Sequence, residues 1–191
     1  LPGLLKALAI AAEQGLDLPV VYNTNGYESV HTLELLDGIV DIYLPDLKYA
    51  FNNQAMKYSD AADYVEKARS AILKMHTQVG NLVVDVHGRG VRGMILRHLI
   101  LPGDVSGTRQ TLVWVRDNLP ITVTLSLMAQ YAPLHREKDF PPLDRTITCK
   151  EYDRAVDTAW ELGFENAFIQ EMDSRESGIP DFTLSKPFNW E

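Results

Sequence analysis

The chain has 191 residues, 46% hydrophobic and 23% charged, which suits one globular domain over residues 1–191 with a substantial core. Its 18 Lys and Arg against 26 Asp and Glu give a formal net charge of -8, which disfavours a nucleic-acid partner bound by phosphate neutralisation. Cys149 is the only cysteine, which excludes an intramolecular disulfide and a multi-thiolate metal site built from this chain alone.

In chain order, Leu1 to Gly15 has helical spacing of apolar residues at Leu4, Leu5, Leu8, Ala11 and Ala12, then a glycine stop. A helix that feeds a buried parallel strand belongs to a series of βα units, so a strand is expected before it. Val20 to Asn23 is the first strand within the chain. It runs into the turn Thr24-Asn25-Gly26 and then a helix from Ser29 to Leu36 that Gly38 closes. Ile39 to Leu44 is the next strand, and Pro45 should finish it, because proline spoils a central ladder position. Ser59 reads as the N-cap of a long helix to Gln78, with Ala62, Val65, Ala68, Ile72 and Met75 on its apolar face.

Asn81 to Val86 and Val91 to Leu101 flank His87-Gly88-Arg89-Gly90 and read as an antiparallel hairpin. Its second arm continues as a core strand until Pro102-Gly103. A helix from Thr108 to Asn118, a strand from Ile121 to Leu127 and a long connection with Pro133, Pro141 and Pro142 follow. Thr148 and Glu151 have capping-box spacing at the start of a helix that Gly163 ends. Ala167 to Ile169 is a last short strand, and a polar tail runs from Ser174. No apolar run approaches the roughly 18 to 20 residues that span a bilayer, and no charged segment leads into an apolar one at the start. The reading is a cytoplasmic protein with no membrane partner.

Repeated alternation of helix and strand predicts an α/β fold with a parallel sheet, open or curved into a barrel, with ligands at the carboxyl ends of the strands. Those ends carry Asn23-Thr24-Asn25-Gly26, Asp46-Leu47-Lys48, Arg97-His98 and Ser126 through Tyr131. Asn23, Thr24 and Asn25 supply amides and a hydroxyl, and Gly26 allows a tight turn near a ligand, although Asn-Gly is also a common turn pair. Asp46 and Lys48 are two apart and point the same way in an extended segment, so one carboxylate and one ammonium could meet a zwitterion or simply each other. Arg97, inside an apolar run, needs a carboxylate partner or a ligand. His98 faces the other way and reads as structural.

Four stretches together resemble the radical S-adenosylmethionine (SAM) proteins, in the branch of the pyruvate formate-lyase activating enzymes. They are Tyr22-Asn23-Thr24-Asn25-Gly26-Tyr27, Leu44-Pro45-Asp46-Leu47-Lys48-Tyr49, Val91 through Gly103, and Leu127-Met128-Ala129-Gln130-Tyr131-Ala132-Pro133. The last matches a less characterised Q-Y-x-P subgroup. The resemblance implies a partial (β/α) barrel of the radical SAM type. In the complete protein a four-iron, four-sulfur (4Fe-4S) cluster would cleave SAM to a 5′-deoxyadenosyl radical that abstracts hydrogen, as in glycyl radical formation. It further implies cofactor-binding roles. Asn23 and Thr24 would lie near the methionyl carboxylate or an associated cation, with Asn25 and Gly26 in the same cofactor-binding turn; Asp46 and Lys48 would hold that end, Arg97 would line the SAM or substrate side of the cleft, and Gln130 would stand near the adenosyl part.

Asn23 stands where the family usually has Asp, and the Gln130 stretch lacks the histidine that activating enzymes often carry. The cluster motif C-x-x-x-C-x-x-C and the G-G-E strand belong upstream of Leu1, so no catalytic or metal-ligating residue is expected within the chain. The expectation is a carboxyl-terminal portion of a radical SAM barrel that lacks its first strands, is inactive alone and binds no cofactor, or SAM only weakly. A glycyl radical enzyme or another protein is the implied partner of the complete protein. The sheet edge beside Val20 to Asn23 would be unpaired and would favour a homodimer. Two other readings are an intact small α/β barrel aldolase or isomerase with Lys48 as Schiff-base nucleophile, and a non-catalytic SAM-binding domain.

Overall fold

Helical stripes and short β-prone runs alternate in the structure as they do in the sequence. The computed structural model describes residues 2–133 and 140–170. In order these form α1 (Pro2–Glu13), β1 (Val21–Thr24), α2 (Val30–Glu34), β2 (Ile42–Pro45), α3 (Asn52–Ser59), α4 (Tyr64–Val79), β3 (Val83–Val84), β4 (Gly90–Leu99), α5 (Thr108–Asn118), β5 (Thr124–Met128), α6 (Cys149–Glu161) and β6 (Ala167–Ile169). A 3-10 turn at Pro102–Asp104 links β4 to α5. The tail expected from Ser174 and residues 134–139 of the proline-bearing connection lie outside the described residues.

The sheet has six strands in the order β1-β2-β4-β5-β6, each parallel to its neighbours, with β3 antiparallel to β4 as the predicted hairpin. Strand order follows chain order without reversal, as it does in a barrel and unlike a doubly wound sheet. The fold is therefore α/β with a parallel central sheet, compatible with a partial (β/α) barrel. Among the described residues, β1 and β6 each have one neighbour, and no helix is long and apolar enough to cross a membrane.

Burial alternates along the strands and separates the two faces of the sheet. Tyr43, Leu47, Met94, Leu96, His98, Leu125 and Leu127 are buried in one core with Ala68, Ile72, Met75, Leu112, Val115, Tyr152 and Ala155 of the helices. Leu44, Ile95, Arg97, Leu99, Thr124 and Ser126, on the opposite face, are only half-buried. The hairpin closes the amino-terminal end of that second face: a Cβ on Gly93 would collide with the backbone of Asn81 and Leu82, and Gly93 has φ +122°.

Two helices differ from the sequence reading. Ser59 is the last residue of α3, not the N-cap of a long helix, and Asp60 ends α3 in the left-handed conformation with φ 51°. Helix α4 starts only after Asp63, and Ala62 is exposed. The α3 sequence Asn52-Asn53-Gln54-Ala55-Met56-Lys57-Tyr58-Ser59 escapes periodicity because Ala55 is its one buried residue. Helix α1 forms as expected but buries none of its residues.

Candidate functional site

The carboxyl ends of β1, β2 and β4 bring four predicted residues together. Arg97 follows Leu96 on β4, so strand alternation turns it to the half-buried face. Its Nε and Nη2 both donate to Asp46 Oδ1, at 2.8 and 2.6 Å. Nη2 also donates to Asn23 Oδ1 at 2.7 Å. Lys48 Nζ stands 3.4 Å from the other carboxylate oxygen, Asp46 Oδ2. Asp46 is thus shared by two cations, and the cluster carries one net positive charge. The Asp46 side chain is 11% exposed, Arg97 22% and Lys48 33%, so these contacts are screened less than surface pairs. Among the described residues Arg97 Nη1 makes no hydrogen bond, and Lys48 Nζ makes only the long contact to Asp46. Those two groups remain as donors toward an anion.

The backbone carrying Asp46 and Lys48 is held at every polar group that faces inward. Asp46 N–H donates to the Thr24 carbonyl at 3.0 Å, and Leu47 N–H to the Arg97 carbonyl at 2.8 Å. His98 Nδ1–H donates to the Leu47 carbonyl at 2.6 Å, which fixes the neutral tautomer and leaves Nε2 to accept from Thr108 Oγ1 at 3.1 Å. Burial pushes the His98 pKa below its ordinary value, against the weaker opposing effects of that bond and of the Asp104 and Asp46 carboxylates. The histidine is a structural brace on the helix side of the sheet.

The remaining predicted residues stand apart from the cluster. Thr24, one residue from Asn23, points to the other face and donates to Glu28 Oε1 at 2.7 Å, an oxygen that also accepts from Tyr22 OH at 3.1 Å. Asn25 Oδ1 accepts from Tyr27 N–H at 3.0 Å, a side-chain turn. Gly26 has φ +78°, and a Cβ there would collide with the Asp46 carbonyl, so the two strand-end loops touch through this glycine. Gln130 lies two residues beyond β5, exposed, with its amide toward Met128 Sδ at 3.7 Å.

The chain is 29% identical over 159 residues to an uncharacterized protein of Methanocaldococcus jannaschii. That alignment covers 83% of this chain and 43% of the relative, so the chain spans less than half the length of the protein it matches. No protein-family model and no solved structure matches.

Sequence reasoning placed Ser126 at a strand end without assigning it a role, and passed over Tyr64 and Phe168 as site residues. Parallel register places Asp46, Arg97, Ser126 and Phe168 in one row across four strands. That row follows only from pairing between distant segments; the sequence signal was the period-2 placement of each residue within its own strand. Tyr64 carries no such signal, since the first residue of a helix has no fixed neighbour until the helix docks.

Proposed function

We propose that this chain is the carboxyl-terminal portion of a radical SAM protein similar to the pyruvate formate-lyase activating enzymes. Carrying the reading is the convergence of Asn23, Asp46, Lys48 and Arg97, contributed by three strand ends that each belong to a stretch resembling that family. Arg97 Nη1 and Lys48 Nζ suit a carboxylate such as the methionyl end of SAM, Asp46 sets the spacing between the two cations, and Asn23 orients Arg97. Thr24, Asn25 and Gly26 shape the loop that carries Asn23. On this reading Gln130, two residues beyond β5, would meet the ligand's far end.

The residues present do not fit an iron–sulfur cluster. Cys149 is a single exposed thiol opening α6, and no group of three His, Cys, Asp or Glu among the described residues could hold a metal ion. Three clustered thiolates would have to come from sequence outside this chain. In the complete protein the 4Fe-4S cluster would supply the electron that cleaves SAM to a 5′-deoxyadenosyl radical, and a glycyl radical enzyme or another protein would be the hydrogen donor. Lys48 sits in an ion-pair cluster rather than the apolar pocket that activates a Schiff-base lysine, which favours the SAM reading over an aldolase.

Titration of this chain with SAM, alongside iron analysis, tests the reading. Weak binding that Arg97→Met abolishes, with no iron retained, is the expected result. A stoichiometric cluster in this chain, or a borohydride-trapped substrate adduct at Lys48, would overturn it.

A further inference from the structure

We propose that Tyr64, which among the described residues hydrogen-bonds only to backbone and to none of the charged side chains, is the positioning residue that holds Asp46 and Lys48 in register with Arg97. Tyr64 is the first residue of α4 and is buried, 4% exposed. Its phenol oxygen accepts from the Lys48 N–H at 2.9 Å. Its single proton faces two carbonyl oxygens, of Asp46 at 3.1 Å and of Asn25 at 3.2 Å. One hydroxyl therefore ties the loop after β1 to both ends of the Asp46–Lys48 segment.

The other backbone groups of that segment have independent partners: Thr24 for Asp46 N–H, Arg97 for Leu47 N–H and His98 for the Leu47 carbonyl. Only the Asp46 carbonyl and the Lys48 N–H depend on Tyr64. They belong to the two peptide units that join the Asp46 and Lys48 Cα atoms, so their orientation sets where the carboxylate and the ammonium point. The ring itself cannot easily drift. It stacks on Tyr27 with centroids 5.9 Å apart and meets Tyr49 edge-on at 5.5 Å, while Gly26 packs against the Asp46 carbonyl alongside. Burial raises the phenol pKa well above its ordinary value, so the hydroxyl keeps its proton and both of its roles throughout the neutral range.

For its ligand, this inference rests on reading the cluster as a carboxylate site; the geometry of Tyr64 does not. The test compares Tyr64→Phe with Tyr49→Phe in this chain. Tyr49→Phe deletes a hydroxyl of the same aromatic cluster that bonds only Ser59 Oγ, at 2.8 Å, and so controls for lost stability. Amide hydrogen exchange should show the Lys48 N–H losing protection in Tyr64→Phe and keeping it in Tyr49→Phe, with α5 and α6 unchanged in both. SAM affinity should fall about tenfold in Tyr64→Phe and stay at the parent value in Tyr49→Phe. Equal Lys48 exchange in the two variants would overturn the role of Tyr64 whether or not SAM binds. If the parent chain binds no SAM but Lys48 protection is lost only in Tyr64→Phe, the positioning role stands and the SAM reading falls.

Discussion

Asp46 holds the cluster together, because each of its oxygens faces a different cation on a different strand segment. Removing Arg97 leaves a mostly buried carboxylate with one distant ammonium. Arg97→Met should destabilise the fold by about 2 kcal/mol in urea unfolding, below the full penalty of a deeply buried pair because Lys48 remains. Arg97→Lys should recover little, since an ammonium cannot reach Asp46 and Asn23 with the spread of a guanidinium. His98 makes a second residue-scale prediction. Its folded pKa lies below the unfolded value near 6.5, so the unfolded chain takes up the proton first. The contribution is fully present above about pH 6.5 and is lost as pH falls toward the folded pKa, by up to about 1.4 kcal/mol per pH unit. Urea midpoints at pH 7.5 and 5.5 should differ more for the parent than for His98→Asn. The pairing of Arg97 with a carboxylate, the common side of Asp46 and Lys48 and the structural setting of His98 were all legible in the sequence, because strand periodicity and the cost of a buried charge act locally. The divergence of Thr24 from Asn23 follows from the same periodicity, but their adjacency in one turn masked it.

At the scale of elements, one side chain fastens the start of α6. Glu151 Oε2 accepts from Thr148 N–H and Oγ1 at 2.8 and 3.0 Å, and Oε1 accepts from the Gly103 N–H at 2.8 Å. Arg145 clasps both oxygens at 2.8 and 2.9 Å. The Arg145 guanidinium holds the Glu151 carboxyl far below the usual range. Glu151→Ala should therefore cost about 2 kcal/mol, a cap plus a charged pair, and should loosen the turn after β4, measurable as faster exchange at the Gly103 amide. The capping box was visible from spacing alone. Its second task, fastening Gly103 across 48 residues of chain, was not. Gly26 is the corresponding device between β1 and β2. Gly26→Ala must place a Cβ against the Asp46 carbonyl at positive φ, and should destabilise by about 2 kcal/mol, read as a lower thermal midpoint.

At the scale of the molecule, the parallel sheet among the described residues has β1 at an edge, with one neighbour. Val21 on β1 is 51% exposed, and Leu4 and Ile10 of α1 are 48% and 46% exposed. Unpaired edges recruit strands, so the chain by itself should associate into dimers as concentration rises. Size-exclusion chromatography with light scattering checks this; Val21→Lys should shift the population to monomer, and a monomeric parent chain at high concentration would refute it. Helix α1 shows the limit of pattern: its apolar spacing was enough to form the helix, yet among the described residues only Leu5 of α1 packs, partly buried, against the core. The sequence by itself determined most elements, the hairpin, the glycine and proline stops and the parallel α/β class, because propensity, periodicity and capping depend on residues a few positions apart. Only the tertiary structure decided that Asn23, Asp46, Lys48 and Arg97 meet while Thr24, Asn25 and Gln130 do not, and that Tyr64 fastens the loops beneath them. Those contacts join segments 16 to 74 residues apart, and their geometry is set by sheet register and helix docking rather than by neighbouring residues.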